Sequence, residues 1–248
     1  MTIDYGAALR EQNRLFGTTI RGTDMATPVP TCPGWSLLQL LRHLGRACRW
    51  TAQIIRERAD GTLDPRAVPN GRPPDDEPGA LAWLHESAQV LLDAVAASNA
   101  DAPVWTWNGP RPAAWWLRRM LHEHTVHRAD AAIALNVEYL LAPELGADAL
   151  SELFGQIAIA GWHPLDTGTS LHLHATDIDA DWTLRPTATG LAWEPSHTEA
   201  TTALRGPAAS LLLVTTRRHT AEEAGVEVFG DPKVFHTWLE RTPYQAPE

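Results

Sequence analysis

Apolar and polar positions follow two different periods along this chain, and the change between them divides it. Residues Asp4 to about Arg21 set Ala7, Ala8, Leu15, Phe16 and Thr19 at helical intervals, which predicts a first amphipathic helix. A breaker-rich loop, Ala26–Gly34, leads to Ser36-Leu37-Leu38-Gln39, a capping-box start preceded by Trp35. The second helix should run to about Arg58, with the stripe Leu40, His43, Ala47, Trp50 and Ile54. Ala59–Gly79 holds five Pro and three Gly and reads as a long loop, of the kind that often forms a lid or pocket wall. Ala80 to about Ser98 predicts a third helix, and Asn99–Pro112 an irregular connector carrying Trp105 and Trp107. From Pro112, placed to open a first turn, a run free of Gly and Pro predicts a helix to Leu135. Glu144–Ala160 then completes the all-α part.

After Gly161 the period shortens. Ser170–Ala175, Trp182–Leu184, Gly190–Trp193, Ala200–Leu204 and Gly225–Phe229 alternate as strands do, with helices expected at Ala208–Thr216 and Pro232–Leu239. The predicted class is α+β with two domains: a helical bundle over residues 1–164 and a small α+β domain over 165–248. No internal repeat is present.

Composition narrows the function. The 248 residues are 44% hydrophobic and 20% charged, a globular balance with ample chain for a core. A net charge of -10 argues against nucleic acid and anionic membranes as partners. No apolar run approaches a membrane span and Met1–Ile20 has no signal-peptide core, so a soluble, cytoplasmic protein is expected, monomeric or dimeric. Cys32 and Cys48 suggest no disulfide framework, and both read as structural. Eleven Trp are mostly core, although such a number can also line a ligand pocket.

The candidate chemistry lies on the two longest helical stripes. The fourth reads Trp116, Met120, Glu123, His127, Ala131, Ala134, which puts a carboxylate and an imidazole one turn apart among apolar neighbours. His43 interrupts the second stripe in the same way. Buried polar groups of this kind need partners, and one metal ion would satisfy all three. Three N/O ligands with an open fourth position suit a catalytic metal; the alternative is plain internal pairing. The text His122-Glu123-His124 is not the zinc-protease HExxH, because Val126 stands where the second His is needed. His122 and His124 are expected to point away, at the surface or behind the ligands. Asp130 could orient the free ring nitrogen of His127, or could be a solvated residue paired with Arg128. His172 and His174 share one face of a strand, without an evident third ligand, and a solvated sheet face is the expectation.

PVPTCPGWSLLQLLRHLGRACRW from Pro28 and WWLRRMLHEHTVHRADA from Trp115 resemble the actinobacterial mycothiol-dependent maleylpyruvate isomerase family. LHLHATDIDADWTLRP, LRGPAASLLLVTTRR and VEVFGDPKVFHTWLE are similar to the C-terminal domain of that family. The resemblance implies a DinB-like up-down four-helix bundle holding a divalent metal, usually zinc, and a C-terminal domain with likeness to sterol-carrier folds. Its metal ligands fall on the "HLG" and "HExxxH" elements, here His43, Glu123 and His127. It implies that the open position takes the thiol of mycothiol as cofactor or co-substrate, activated as a metal-bound thiolate. The reaction is then cis/trans isomerisation of a maleylpyruvate-like small molecule, or thiol S-transfer. Arginines are expected to hold substrate carboxylates, with Arg217, Arg218 and Arg72 as candidates, although Thr215-Thr216 departs from the family text before the first two. The alternatives are a hydrolase with metal-activated water and a non-catalytic binding module.

Overall fold

The computed structural model describes residues 3–99 and 101–242 and shows a mixed helix and sheet protein. Its internal contacts divide it between Tyr139 and Leu140 into two units. Residues 1–2 and 243–248, at the outer ends of the two expected domains, lie outside the described residues.

In the first unit, capping residues set the helix starts. Asp4 Oδ1 accepts from the Ala7 amide at 3.0 Å and opens α1, Tyr5–Ile20. The Ser36 amide donates to Gln39 Oε1 at 2.7 Å in a capping box that opens α2, Leu37–Glu57. Asp76 caps α3, Glu77–Ser98, by accepting from the Gly79 amide at 2.8 Å. The connector beyond it pairs two short strands, β1 (Pro103–Val104) and β2 (Arg111–Pro112), before α4, Trp115–Leu135. Pro112 is therefore a strand residue opposite Pro103 and not the first turn of the helix. In so short an edge ladder a residue without an amide hydrogen costs little.

The four helices form a ring in which α1 packs on α3 and α4, and α2 packs on α3 and α4. Their directions follow from the contacts. Gly6, Arg10 and Gly17 of α1 meet Leu92, Gln89 and His85 of α3, an antiparallel pair. Gly45, Arg49 and Arg56 of α2 meet Trp83, Ser87 and Val90 of α3, so these two run parallel. Trp50 faces Trp116 while His43 faces His127, so α2 and α4 are antiparallel. The order is thus up, down, down, up, and the simple up-down alternation that the resemblance implied does not hold. The loop from Arg58 to Asp76 is the reason: a 21-residue helix is roughly 30 Å long, and an extended chain covers that return at ~3.3 Å per residue. Trp83 Nε1 donates to the Asn70 carbonyl at 2.7 Å and fastens this crossover to the bundle.

The second unit contains α5 (Pro143–Ile159), β3 (Leu171–Ala175), β4 (Asp181–Thr187), β5 (Gly190–Glu194), β6 (Thr202–Gly206), α6 (Ala208–Thr215), β7 (Glu227–Gly230) and α7 (Pro232–Arg241). The sheet order is β5-β4-β3-β6-β7, with β3 and β6 parallel and the other pairs antiparallel. The boundary expected after residue 164 falls earlier because α5 packs on α6 and β5. The buried face of α5 carries Phe154, whose ring lies 6.4 Å from Trp182 and 5.8 Å from Trp238. Gly146 lets the helix approach so closely that an added Cβ would stand 2.9 Å from the Ala209 amide nitrogen. Helical period alone could not tell which unit this apolar face would join.

Candidate metal centre

Antiparallel packing of α2 on α4 brings His43 onto the Glu123/His127 face. His43 Nε2 lies 3.3 Å from Glu123 Oε2, and His127 Nε2 lies 3.4 Å from the same oxygen. The three ligand atoms are mutually within 4.8 Å. A tetrahedral site with bonds near 2.0–2.1 Å has ligand edges of about 3.3 Å, so these spacings fit one cation better than they fit strong hydrogen bonds. The imidazole rings are 4.9 Å apart and nearly perpendicular, so their nitrogens converge without ring clash. Trp35 walls the site, its ring 5.1 Å from His43 and 6.3 Å from His127. His43 and Glu123 keep about a quarter of their side-chain surface exposed, 28% and 26%, whereas His127 keeps 7%. The cluster is reachable from one side.

Two of the three ligands, Glu123 and His127, are held from behind. Glu123 Oε1 accepts from Arg119 one turn earlier, which leaves Oε2 for the imidazoles. Burial alone would raise the Glu123 carboxyl, but the Arg119 charge and hydrogen bonds from His127 and His43 outweigh it and hold it well below the usual carboxylate range. His43 is pushed down by burial, which its bond to Glu123 only partly offsets. Burial would lower His127 as well, yet its contacts with Asp130, Cys32 and Glu123 raise it well above the ordinary value. His127 Nδ1 sits 2.7 Å from Asp130 Oδ2. With Nδ1–H donated there, Nε2 is the nitrogen whose lone pair a cation would take in exchange for its proton, the arrangement by which a carboxylate orients a metal-binding imidazole. Asp130 is fully buried, and it accepts from Thr31 Oγ1 at 2.6 Å and Cys32 Sγ at 3.5 Å.

A second grouping, Cys32, His127 and Asp130, also has ligand atoms within reach of one another. It is fully buried and its shortest contacts are at hydrogen-bond length, so its polar groups already satisfy each other. The open triad is the better cation site.

The expectation that Asp130 orients His127 matches the geometry, and Arg128 instead donates to Gln12 Oε1 at 2.8 Å. Of the two alternatives for His122 and His124, the surface one fails, because both are buried. α4 packs on α1 as well as α2, so its second face is also interior. His124 lies 2.8 Å from the Met120 carbonyl and 3.1 Å from Asn13 Nδ2, and burial pushes it down to about 4. Sequence reasoning missed Arg119, although its spacing of four from Glu123 was a signal, and missed Trp35 and Thr31 as neighbours, for which no local signal exists.

Each of the three candidate arginines has a local setting of its own. Arg217, at φ +60°, donates to the Thr242 carbonyl at 2.7 Å, and Arg218 donates to the Thr216 carbonyl at 2.8 Å. Arg72 is exposed on the crossover loop. There it helps Arg42 and Arg66 lower the Arg46 guanidinium, whose first cause is burial. Among the described residues no helix is long and apolar enough to cross a membrane.

Comparison with known proteins agrees with this architecture. Residues 7–132 match the model of the mycothiol maleylpyruvate isomerase N-terminal domain. Solved structures similar to the chain include the mycothiol-dependent maleylpyruvate isomerase, at 13% identity and TM-score 0.52, over 88% of this chain and 89% of that one. A histidine-to-alanine variant of that isomerase matches at 13% identity and TM-score 0.55, over 91% of both chains. No curated protein matches in sequence.

Proposed function

Because this chain belongs to the mycothiol maleylpyruvate isomerase family, we propose that it is a divalent-metal enzyme that uses mycothiol to isomerise a maleylpyruvate-like cis-enone. The first unit is then a DinB-like four-helix domain and the second a small α+β domain with sterol-carrier likeness. The observation that carries the reading is the convergence of His43 Nε2 and His127 Nε2 on Glu123 Oε2 at 3.3 and 3.4 Å. These residues would hold the cation, zinc being the expected ion for two imidazoles and a carboxylate with an open position. When bound, such a cation lowers the proton affinity of a thiol so that it reacts as thiolate at neutral pH.

The chain's own residues then have defined tasks. Asp130 fixes the His127 tautomer through Nδ1, and Arg119 keeps the second oxygen of Glu123 from competing for the cation. Trp35 shields the imidazoles from water on one side. A thiolate held there would supply reversible addition to the alkene of a cis-enone, with negative charge shifting onto the conjugated carbonyl oxygen while the former double bond turns to the trans geometry. Positive charge near the carbonyl and carboxylates lowers the barrier to that shift. Arg72, beside Arg42, Arg46 and Arg66, is proposed to meet a substrate carboxylate. For Arg217 and Arg218 the same role is proposed, in competition with the Thr242 and Thr216 carbonyls that they hold. S-transfer would use the same activated thiol but keep the C–S bond.

The test is an isomerisation assay with maleylpyruvate and mycothiol on wild type and His127→Ala, beside calorimetry of mycothiol with and without chelator. Turnover that needs both thiol and metal, and fails in the variant, supports the reading. Metal-dependent hydrolysis without thiol uptake would point to a hydrolase, and thiol consumed stoichiometrically would point to S-transfer.

A further inference from the structure

The sheet face shared by His172 and His174 is only partly solvated. Along β3 they alternate with the buried Leu171 and Leu173, so both point to the other side of the sheet, yet His172 is itself buried. The β3–β4 register sets His174 opposite Asp181 and His172 opposite Thr183, which places all four on one face. The segment after β5 covers that face and brings His197 over it. Thr183 Oγ1 donates to the Ser196 carbonyl at 2.8 Å and pairs with Thr198 Oγ1 at 2.9 Å, so the residues on both sides of His197 are fastened to β4.

Three imidazoles therefore meet one carboxylate oxygen. His172 Nε2 and His174 Nδ1 each lie 2.9 Å from Asp181 Oδ1, and His197 Nδ1 lies 3.0 Å from it. A carboxylate oxygen offers two lone pairs, so three N–H donors on this one atom exceed its acceptor capacity. Arg205, across the sheet opposite His174, is held by Glu227 at 2.6 Å, and Arg185 on β4 donates to Thr198 Oγ1 at 3.1 Å. Ser196 Oγ, next to His197, is buried with no hydrogen-bond partner among the described residues.

The geometry points to a second cation site in this unit, with His172 Nε2, His197 Nδ1 and Asp181 as ligands and His174 orienting the shared carboxylate. The three ligand atoms are mutually within 4.8 Å. A tetrahedral ion needs ligand edges of about 3.3 Å, so Asp181 and the imidazoles would separate by ~0.3–0.4 Å, which the exposed His197 side chain can follow. Two imidazole nitrogens and one oxygen select zinc, nickel, cobalt or copper over magnesium or calcium. Such an ion would clamp the 195–200 segment to the β3–β4 hairpin and would be independent of the site on α2 and α4.

The experiment uses the full chain, stripped with chelator and titrated with zinc against a chromophoric competitor, with bound metal counted by plasma mass spectrometry. Wild type is expected to bind about two zinc ions per chain, on mononuclear stoichiometry at each site. His197→Ala and Asp181→Asn should each lose one and keep the ion that His127→Ala loses. His197 is exposed, so its variant is expected to fold, and thermal unfolding of metal-free protein checks that. Wild-type stoichiometry in both His197→Ala and Asp181→Asn overturns the proposal, as does a wild type binding a single ion that His127→Ala abolishes. An ion that survives in His127→Ala and is lost in His127→Ala/His197→Ala supports the second site even if the first reading fails.

Discussion

Replacing Asp130 with Asn changes little in size and everything in hydrogen bonding. The carboxylate accepts from Thr31 Oγ1 at 2.6 Å and Cys32 Sγ at 3.5 Å, and it meets His127 Nδ1 at 2.7 Å. An amide has one accepting oxygen and a donating NH2 in place of the second. If the oxygen stays with Thr31, the NH2 faces Nδ1 of His127, which must turn acceptor, and the ring proton moves to Nε2. Nε2 is the atom that faces Glu123 at 3.4 Å, so the ligand lone pair is lost. If the amide flips, the half-buried Thr31 loses its acceptor at the fully buried position 130. Loss of a buried orienting partner costs metal affinity about 10–100-fold, or about 1.4–2.7 kcal/mol. Stability of the metal-free protein should fall by about 1–3 kcal/mol, the usual effect of unsatisfying a buried group. Competition titration with zinc reads the first quantity and thermal unfolding in chelator reads the second. Unchanged zinc affinity at the His43/Glu123/His127 site in Asp130→Asn would refute the tautomer argument.

Other consequences are checked more simply. Cys32→Ala should retain the zinc held by His43, Glu123 and His127, since the fully buried Cys32/His127/Asp130 grouping is satisfied internally; its loss in metal analysis would reassign the ligand. Both free cysteines are buried, and burial pushes Cys48 up to about 12, so a thiol reagent at pH 8 should find neither until the protein is unfolded. A Cβ on Gly45 would stand 2.1 Å from the Trp83 ring, which its bond to Asn70 and the overlying Arg49 keep in place, so Gly45→Ala should cost about 1–3 kcal/mol in denaturant unfolding. Burial, then the charges of Arg21 and Arg14, lowers His85, whose Nδ1 lies 2.7 Å from Asn13 Oδ1. The unfolded chain therefore takes up this proton first as pH falls below about 6.5, and stability declines with it; His85→Gln should lessen that decline in unfolding curves from pH 7 to 5.

What the sequence determined by itself was mostly local. Capping residues and period placed nearly every helix and strand, because the 3.6- and 2-residue repeats are fixed by backbone geometry within each element. The polar interruptions at His43, Glu123 and His127 were visible for the same reason: a buried polar residue breaks an apolar stripe wherever the stripe goes. Only tertiary structure decided that α2 runs parallel to α3, since direction depends on the path of the crossover loop, and that α5 joins the sheet, since an apolar face does not name its partner. The same limit hid Trp35 and Thr31 behind the ligands and left His172 and His174 without Asp181 and His197. Those contacts join residues from separate elements, and no periodicity within one element records where another will land.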